Sequence, residues 1–244
     1  LGQNGVERVV QCDLSARMAR SAAENGQPAL AVDEEALPFG AGTFDLAVSL
    51  LSLQWVNDLP GALLQIRHSL KPDGLFLAAL LGGDTLQELR TALMLAEIEL
   101  SGGAAPRVSA FADLRDVAGL LQRAGFALPL ADRDLLTVSY PSPLKLLHAL
   151  RGRGAANALI ERPRSGLKRA VLLRALEMYG ERFALPDGRL PATFEIYWLL
   201  GWSPDAEQPK PLAPGSASHP LAAALGGSEQ AVPSSKPNRY VNGV

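Results

Sequence analysis

Four short stretches hold residue types that could bind a small molecule, and each falls at the end of an apolar run. In VVQCDLSARM, residues 9–18, Asp13 closes the run and a helical pattern follows. A carboxylate at the carboxyl end of a strand can accept both hydroxyls of a ribose. The competing reading is structural: Asp13 or Ser15 caps the next helix. In DEEALPF, residues 33–39, Asp33 could accept the exocyclic amine of adenine while the neighbouring backbone reads the ring edge. The alternative is a solvated acidic loop. In SLLSLQWVND, residues 49–58, Trp55 could wall a pocket beside Ser52, Gln54 and Asn57, or simply pack on a sheet. In Gly82-Gly83-Asp84-Thr85 the glycines permit a close backbone approach. Asp84 there could face a substrate mouth or cap a helix.

Other chemistries find little support. His68, His148 and His219 lie far apart, and Cys12 is the only cysteine, so no metal-ligand spacing exists. There is no GxSxG elbow and no phosphate-binding P-loop. Cys12 sits in an apolar run and reads as core. A net charge of −2 and the lack of a basic stretch with interleaved aromatics argue against nucleic acid. No apolar run reaches the roughly 18 residues that cross a membrane. Arg151, Arg153, Arg162, Arg164 and Arg169 form a local basic patch. It reads as a solvated face, or more sharply as a dock for an acidic carrier or a protein.

The elements that must position these residues follow from periodicity. Strands are expected at 6–12, 28–32, 43–51 and 75–81, with helices at 15–24 and 58–70 between them. The 43–51 strand reads as buried. Leu59, Leu63, Ile66 and Leu70 share one face of the second helix, and Lys71-Pro72-Asp73-Gly74 makes a turn. This alternation argues for a parallel sheet with helices on both faces. Further helices are expected at 84–100, with Asp84 at the cap, and at 111–124, 141–154 and 165–183. One or two short strands are expected within 126–140, and a last strand at 193–202. With 48% hydrophobic residues the count suffices for a core. From residue 203 the chain is rich in Pro, Ser, Gly and Ala and reads as a mostly disordered tail, with one weak helical turn at 221–225.

Taken in order, DLSxxM, DxExLPF, FDLxxSxxxLQW and LKPDG before a strand resemble the class I S-adenosylmethionine-dependent methyltransferases. The resemblance runs from Val6 to about Trp202. Two branches are similar. One is the assembly-factor family of respiratory complex I, found in mitochondria and α-proteobacteria. The other is the malonyl-carrier-protein O-methyltransferase of biotin synthesis. Gly82–Thr85 and QPKPLAPGSA, residues 208–217, favour the first.

The resemblance implies a Rossmann-like α/β sheet with helices on both faces and a late antiparallel strand. It implies a methyltransferase-like domain over 1–202, with a helical substrate-side insertion at 141–192, and a tail at 203–244. It implies S-adenosyl-L-methionine as cofactor. Asp13 and Leu14 would hold the ribose, Asp33 with the Glu34 backbone the adenine, and Ser49 and Leu50 would line the cofactor near its sulfonium. Trp55 and Asp84 would lie toward the substrate. That substrate would be a protein or a carrier-bound group, such as a subunit of NADH:ubiquinone oxidoreductase. The alternatives are arginine hydroxylation, non-catalytic assembly, and malonyl-carrier methylation. The setting implied is the cytoplasm of a bacterium or the mitochondrial matrix.

The sequence departs from the family in one large respect. The opening strand and its glycine-rich loop are missing, and Leu1–Gly5 reads as the end of the helix that should follow them. The chain is therefore expected to be a fragment, to leave two strand edges unpaired, and to bind the cofactor weakly or not at all. Gln54 stands where mitochondrial members carry His, which argues against any proton-transfer role at that position.

Overall fold

Strand and helix alternate as the periodicity requires in the computed structural model, which describes residues 5–109, 111–152, 154 and 166–209. The elements are β1 (Gln11–Asp13), α1 (Ala16–Ala23), β2 (Ala29–Ala31), β3 (Phe44–Leu50), α2 (Leu59–Ser69) and β4 (Leu70–Leu81). They continue with α3 (Gln87–Ser101), α4 (Leu114–Arg123), β5 (Ala127–Tyr140), α5 (Pro143–Gly152), α6 (Arg169–Phe183) and β6 (Leu190–Trp202). A 3₁₀ turn, Leu53–Trp55, joins β3 to α2. All but the last three described residues belong to one compact unit ending at Ala206. The weak turn expected at 221–225 lies outside the described residues, as do Arg153, Arg162 and Arg164.

Local chemistry explains three of the six helix starts. Ser15 caps α1 by accepting from the Met18 N–H, and Asp58 caps α2 by accepting from Gly61 N–H, with Pro60 in the first turn. A Cβ at Gly61 would strike the Asp58 carboxylate, so the cap itself demands glycine. Asp113 caps α4 through the Arg115 N–H.

The start of α3 corrects the sequence reading. Asp84 does not cap it. The cap residue is Leu86, held at φ +55° in the left-handed region, and the helix begins at Gln87. Leu86 N–H donates to Thr193 O at 2.7 Å, and Asp84 N–H donates to Glu195 Oε2 at 2.8 Å. The loop is tied to β6 before it can wind into helix.

The strands form two sheets. β1 and β2 pair in parallel, while β3, β4, β6 and β5 form a second sheet in that order. β3 and β4 are parallel, and β6 runs antiparallel to both its neighbours. The expected turn at Lys71–Gly74 is a bulge inside β4: Phe44 pairs with Leu70 but Leu46 with Leu75, and Asp73 takes φ +58°. β5 is one 14-residue strand with an irregularity near Leu128, where one or two short strands were expected.

One face of the larger sheet carries Phe76, Ala78, Leu80, Tyr197 and Leu199 against α2 and α4. Phe126 stacks on Phe76 with centroids 5.1 Å apart, and a Cβ at Gly201 would collide with the Phe126 ring. The other face carries Ala192 and Phe194, and α3 and α6 cover it there, where Tyr179 donates to Pro191 O at 2.6 Å.

Two burial expectations are corrected. β3 was expected to be buried. Phe44 and Ala47 do pack inward, but Leu46, Val48 and Leu50 are exposed, because β3 pairs only with β4 and no described element covers that face. Cys12 was expected in the core and is exposed, since the β1–β2 ribbon is covered mainly by α1.

Candidate functional site

β1 and β2 run in parallel and in register, Asp13 opposite Ala31, so Asp13 and Asp33 emerge at the same carboxyl end. Each carboxylate first fixes its own turn. Asp13 Oδ1 accepts from Ser15 N–H at 2.7 Å, and Asp33 Oδ1 accepts from Glu35 N–H at 2.9 Å. A carboxylate has about four acceptor sites, so neither is exhausted by its turn. The cap reading of Asp13 therefore gives way to a division of labour. Ser15 is the cap, and Asp13 aims the chain into it. Asp13 also lines a cavity of about 330 Å³ with Gln11, Cys12 and the Met18 side of α1. Desolvation and the nearby Glu34 carboxylate push the Cys12 thiol above its ordinary value, which disfavours the thiolate. Leu14, expected to touch the cofactor, points into solvent.

The acidic loop acts as a latch, which sequence reasoning missed. Glu34 accepts from the Ser52 hydroxyl. Glu35 accepts from the Asn57 backbone N–H, and more weakly from its side chain and from Asp58 N–H at 3.2 Å. Gln65 brackets the loop, donating to Glu35 O at 2.7 Å and accepting from Leu37 N–H at 2.8 Å. These bonds bring the end of β2 to the segment that follows β3. The only hint in the sequence was the supply of polar residues at 52, 54 and 57.

At the end of β3, Ser49 is half-buried and Leu50 exposed. Leu51 then takes φ +54°, a conformation that costs a non-glycine residue and that gathers at functional sites. Its N–H donates to Ala79 O at 2.7 Å, and its carbonyl accepts from Gln54 Nε2 at 2.6 Å. A carbonyl only accepts, so this bond orients the amide and leaves Gln54 Oε1 as the second end. That oxygen is buried and has no partner among the described residues.

Leu51, Gln54 and Trp55 line a cleft of about 760 Å³ that extends past Leu86 to α5 and α6. Trp55 stands on the wall of this cleft, one of the two placements its sequence left open. Asp84 is not among the lining residues; it is exposed, and its backbone belongs to a clasp. The centre of the clasp is Glu195, almost fully buried on β6. Its carboxylate accepts from Asp84 N–H, from Tyr197 OH at 3.0 Å and from Arg133 Nη1 at 3.4 Å. Thr85 Oγ exchanges two 3.1 Å bonds with the Glu195 backbone. A Cβ at Gly82 would fall on the Tyr197 ring and the Glu195 carboxylate, so only glycine can pass there. Burial and the Glu195 carboxylate push the Tyr197 hydroxyl above its ordinary value, although the Gly83 N–H opposes this.

Residues 1–78 match the methyltransferase domain family. The arginine-hydroxylase NDUFAF5, mitochondrial, of Danio rerio is 44% identical over 220 residues, which is 89% of this chain and 68% of that protein. The chain belongs to the NDUFAF5 family. The human NDUFAF5 is 43% identical over the same length, so the chain spans about two thirds of these NDUFAF5 proteins, 68% and 64% of their lengths. The malonyl-[acyl-carrier protein] O-methyltransferase of Gallionella capsiferriformans (strain ES-2) is 37% identical over 172 residues, 70% of this chain and 57% of that protein. Among solved structures, the YcgJ protein of Bacillus subtilis superposes with a TM-score of 0.55 at 14% identity, covering 82% of this chain and 84% of that one. A candidate methyltransferase from Bacillus halodurans C-125 gives 0.54 at 15%, with coverage of 82% and 84%. The NDUFAF5-like chain therefore has the Rossmann-like fold of the S-adenosylmethionine-dependent methyltransferases, and both branches of the resemblance are present among its relatives.

The residues present suit one half of that cofactor. Two acidic side chains at neighbouring strand ends, each with acceptor capacity to spare, match the donors of an adenosine. Among the described residues no glycine-rich loop precedes β1 to approach the methionine end.

Proposed function

We propose that the NDUFAF5-like chain binds S-adenosylmethionine at the carboxyl ends of β1, β2 and β3 and serves the modification of a protein- or carrier-borne group. The observation that carries this reading is the pair Asp13 and Asp33, brought to one end of two parallel strands and latched by Glu34 and Glu35 to the segment after β3. When bound, the cofactor supplies a methyl group already activated as a sulfonium. The protein then needs to position and to exclude water more than to supply a strong base. Asp13 would accept from the ribose hydroxyls, Asp33 from the adenine amine, and Ser49 and Leu50 would border the sulfonium. Gln54 and Trp55 would stand on the substrate side, with the clasp at Asp84 holding that side to β6.

A second reading, hydroxylation of an arginine, is favoured by the 44% identity to a protein named for that activity. A partner subunit of respiratory complex I belongs to the same reading.

Saturation-transfer NMR with S-adenosylmethionine tests the cofactor site even where affinity is low. The expected result is transfer to the adenosine protons in preference to the methionine protons, lost in Asp13→Asn and weakened in Asp33→Asn. No transfer, or transfer unchanged in Asp13→Asn, overturns the reading. Mass spectrometry of a modified substrate separates the two chemistries, as a gain of one methylene or of one oxygen.

A further inference from the structure

A strand at the end of a sheet leaves half of its backbone groups without a ladder partner. β5 is such a strand. The bonds of its neighbour β6 show which groups are left over. Thr193 N–H donates to Glu88, and Thr193 O accepts from Leu86 N–H. Glu195 N–H donates to Thr85 Oγ, and Glu195 O accepts from Gly82 N–H. Both residues thus turn their backbone away from β5. Thr137 and Leu135 stand opposite them. Such positions are the non-hydrogen-bonded ones of an antiparallel pair, so the N–H and C=O of Leu135 and Thr137 point outward.

The edge is closed on either side of this stretch. Asp132 Oδ1 accepts from the Arg133 N–H at 2.8 Å. Arg189 Nη2 donates to Ser139 O at 2.6 Å, and its Nε donates to Ser139 Oγ at 2.9 Å. Side-chain covers, charges and prolines are the usual ways to blunt an edge. Leu135–Val138 has no proline and no charge, and no described residue bonds the outward groups of Leu135 or Thr137.

The side chains say what fits there. Asp134, Leu136 and Val138 alternate onto one face of the strand. Leu136 and Val138 line the large cleft with leucines of α3, α5 and α6, and Ile196, opposite Asp134, lines it too. Asp134 is exposed, and its carboxylate has no hydrogen bond or ion pair with a described residue. An added antiparallel strand would meet these three at its non-hydrogen-bonded pairs, where facing side chains lie closest. The complement is apolar opposite Val138 and Leu136 and basic opposite Asp134. Read along the added strand, the order is apolar–x–apolar–x–basic.

We infer that the β5 edge from Arg133 to Ser139 takes up an extended segment of a partner protein with that pattern, paired antiparallel beside the cleft. As the dock of a protein substrate it rests on the reading of a protein-borne group above; as a binding edge it does not.

The test is amide hydrogen exchange by NMR on the full chain, with acetyl-Ser-Val-Thr-Val-Thr-Arg-Ser-amide as the probe. The Leu135 and Thr137 amides are expected to exchange fast in the free chain and to become protected as the peptide saturates it. Methylating the backbone nitrogens of both peptide threonines, which face Thr137 and Leu135, should weaken binding at least about tenfold. Methylating that of the second valine, which points away from β5, should not. Asp134→Lys should weaken binding about fivefold and turn the preference toward the same peptide with Glu in place of Arg. The proposal falls if binding does not saturate, or if the two amides stay unprotected at saturation. It falls equally if the two methylated peptides bind alike, or if Asp134→Lys keeps the preference for Arg. Protection that rises with chain concentration before any peptide is added would place a second copy on the edge and overturn it as well. Peptide binding without S-adenosylmethionine binding would keep the edge and sink the enzymatic reading, and the reverse result would keep the cofactor site and remove the dock.

Discussion

The two faces of the four-stranded sheet both carry apolar residues, but one is covered throughout and the other only in part. Phe76, Ala78 and Leu80 of β4 face one way with Tyr197 and Leu199 of β6, and α2 and α4 cover them almost completely. On the other face Phe194 and Ala192 are covered by α3 and α6, but toward β3 the cover ends. There Val48 is 55% exposed and Leu50 67%, with Leu130 and Trp198 exposed alongside. Alternation of apolar residues states that a strand could be buried on a face. It does not state that anything lies over that face.

The comparison can be broken most forcefully on the covered side. Phe76→Ala removes a fully buried ring that stacks on Phe126 and should cost about 3–5 kcal/mol in urea unfolding. A loss below about 1 kcal/mol would mean that this face is not the main core.

A smaller effect is expected at high pH on the part of the second face that α6 covers. Burial first, with the Glu88 and Tyr140 charges, pushes the Tyr179 hydroxyl well above its ordinary value. Its neutral form is therefore favoured by folding. That contribution is complete below the unfolded value of about 10 and is lost as pH rises beyond it. Melting temperature should fall above about pH 10, less steeply in Tyr179→Phe. Equal slopes in the two proteins would refute the assignment.

The smallest effect belongs to the uncovered part. Val48→Ala should change stability by about 0.5 kcal/mol or less. A cost of more than about 2 kcal/mol, with sedimentation showing a dimer, would mean that a second copy covers this face in solution.

Much of the site was legible because it depends on strand ends. An acid after a strand and a second acid after the next parallel strand must share an edge, whatever else the chain does. Asp13 and Asp33 were proposed on that ground, and the structure brings the two strand ends that carry them together. Asp84 was misread as a cap because Gly-Gly-Asp-Thr before an apolar run resembles a helix start. The decisive partner, Glu195, lies 111 residues away. Glu34 and Glu35 looked like a solvated loop for the same reason, since Ser52 and Asn57 are neighbours only in the folded chain.

The sequence by itself determined the strand–helix alternation, the caps at Ser15, Asp58 and Asp113, and the positions of the two strand-end acids. Those depend on periodicity and on hydrogen bonds a few residues long. Tertiary structure alone decided that Leu86 would be strained, that Glu195 would be buried, that leucines from three helices would enclose one cleft, and that Val48 would face water. Each of these requires an element distant in sequence to arrive, or not to arrive, and burial is a property of the pair rather than of the residue.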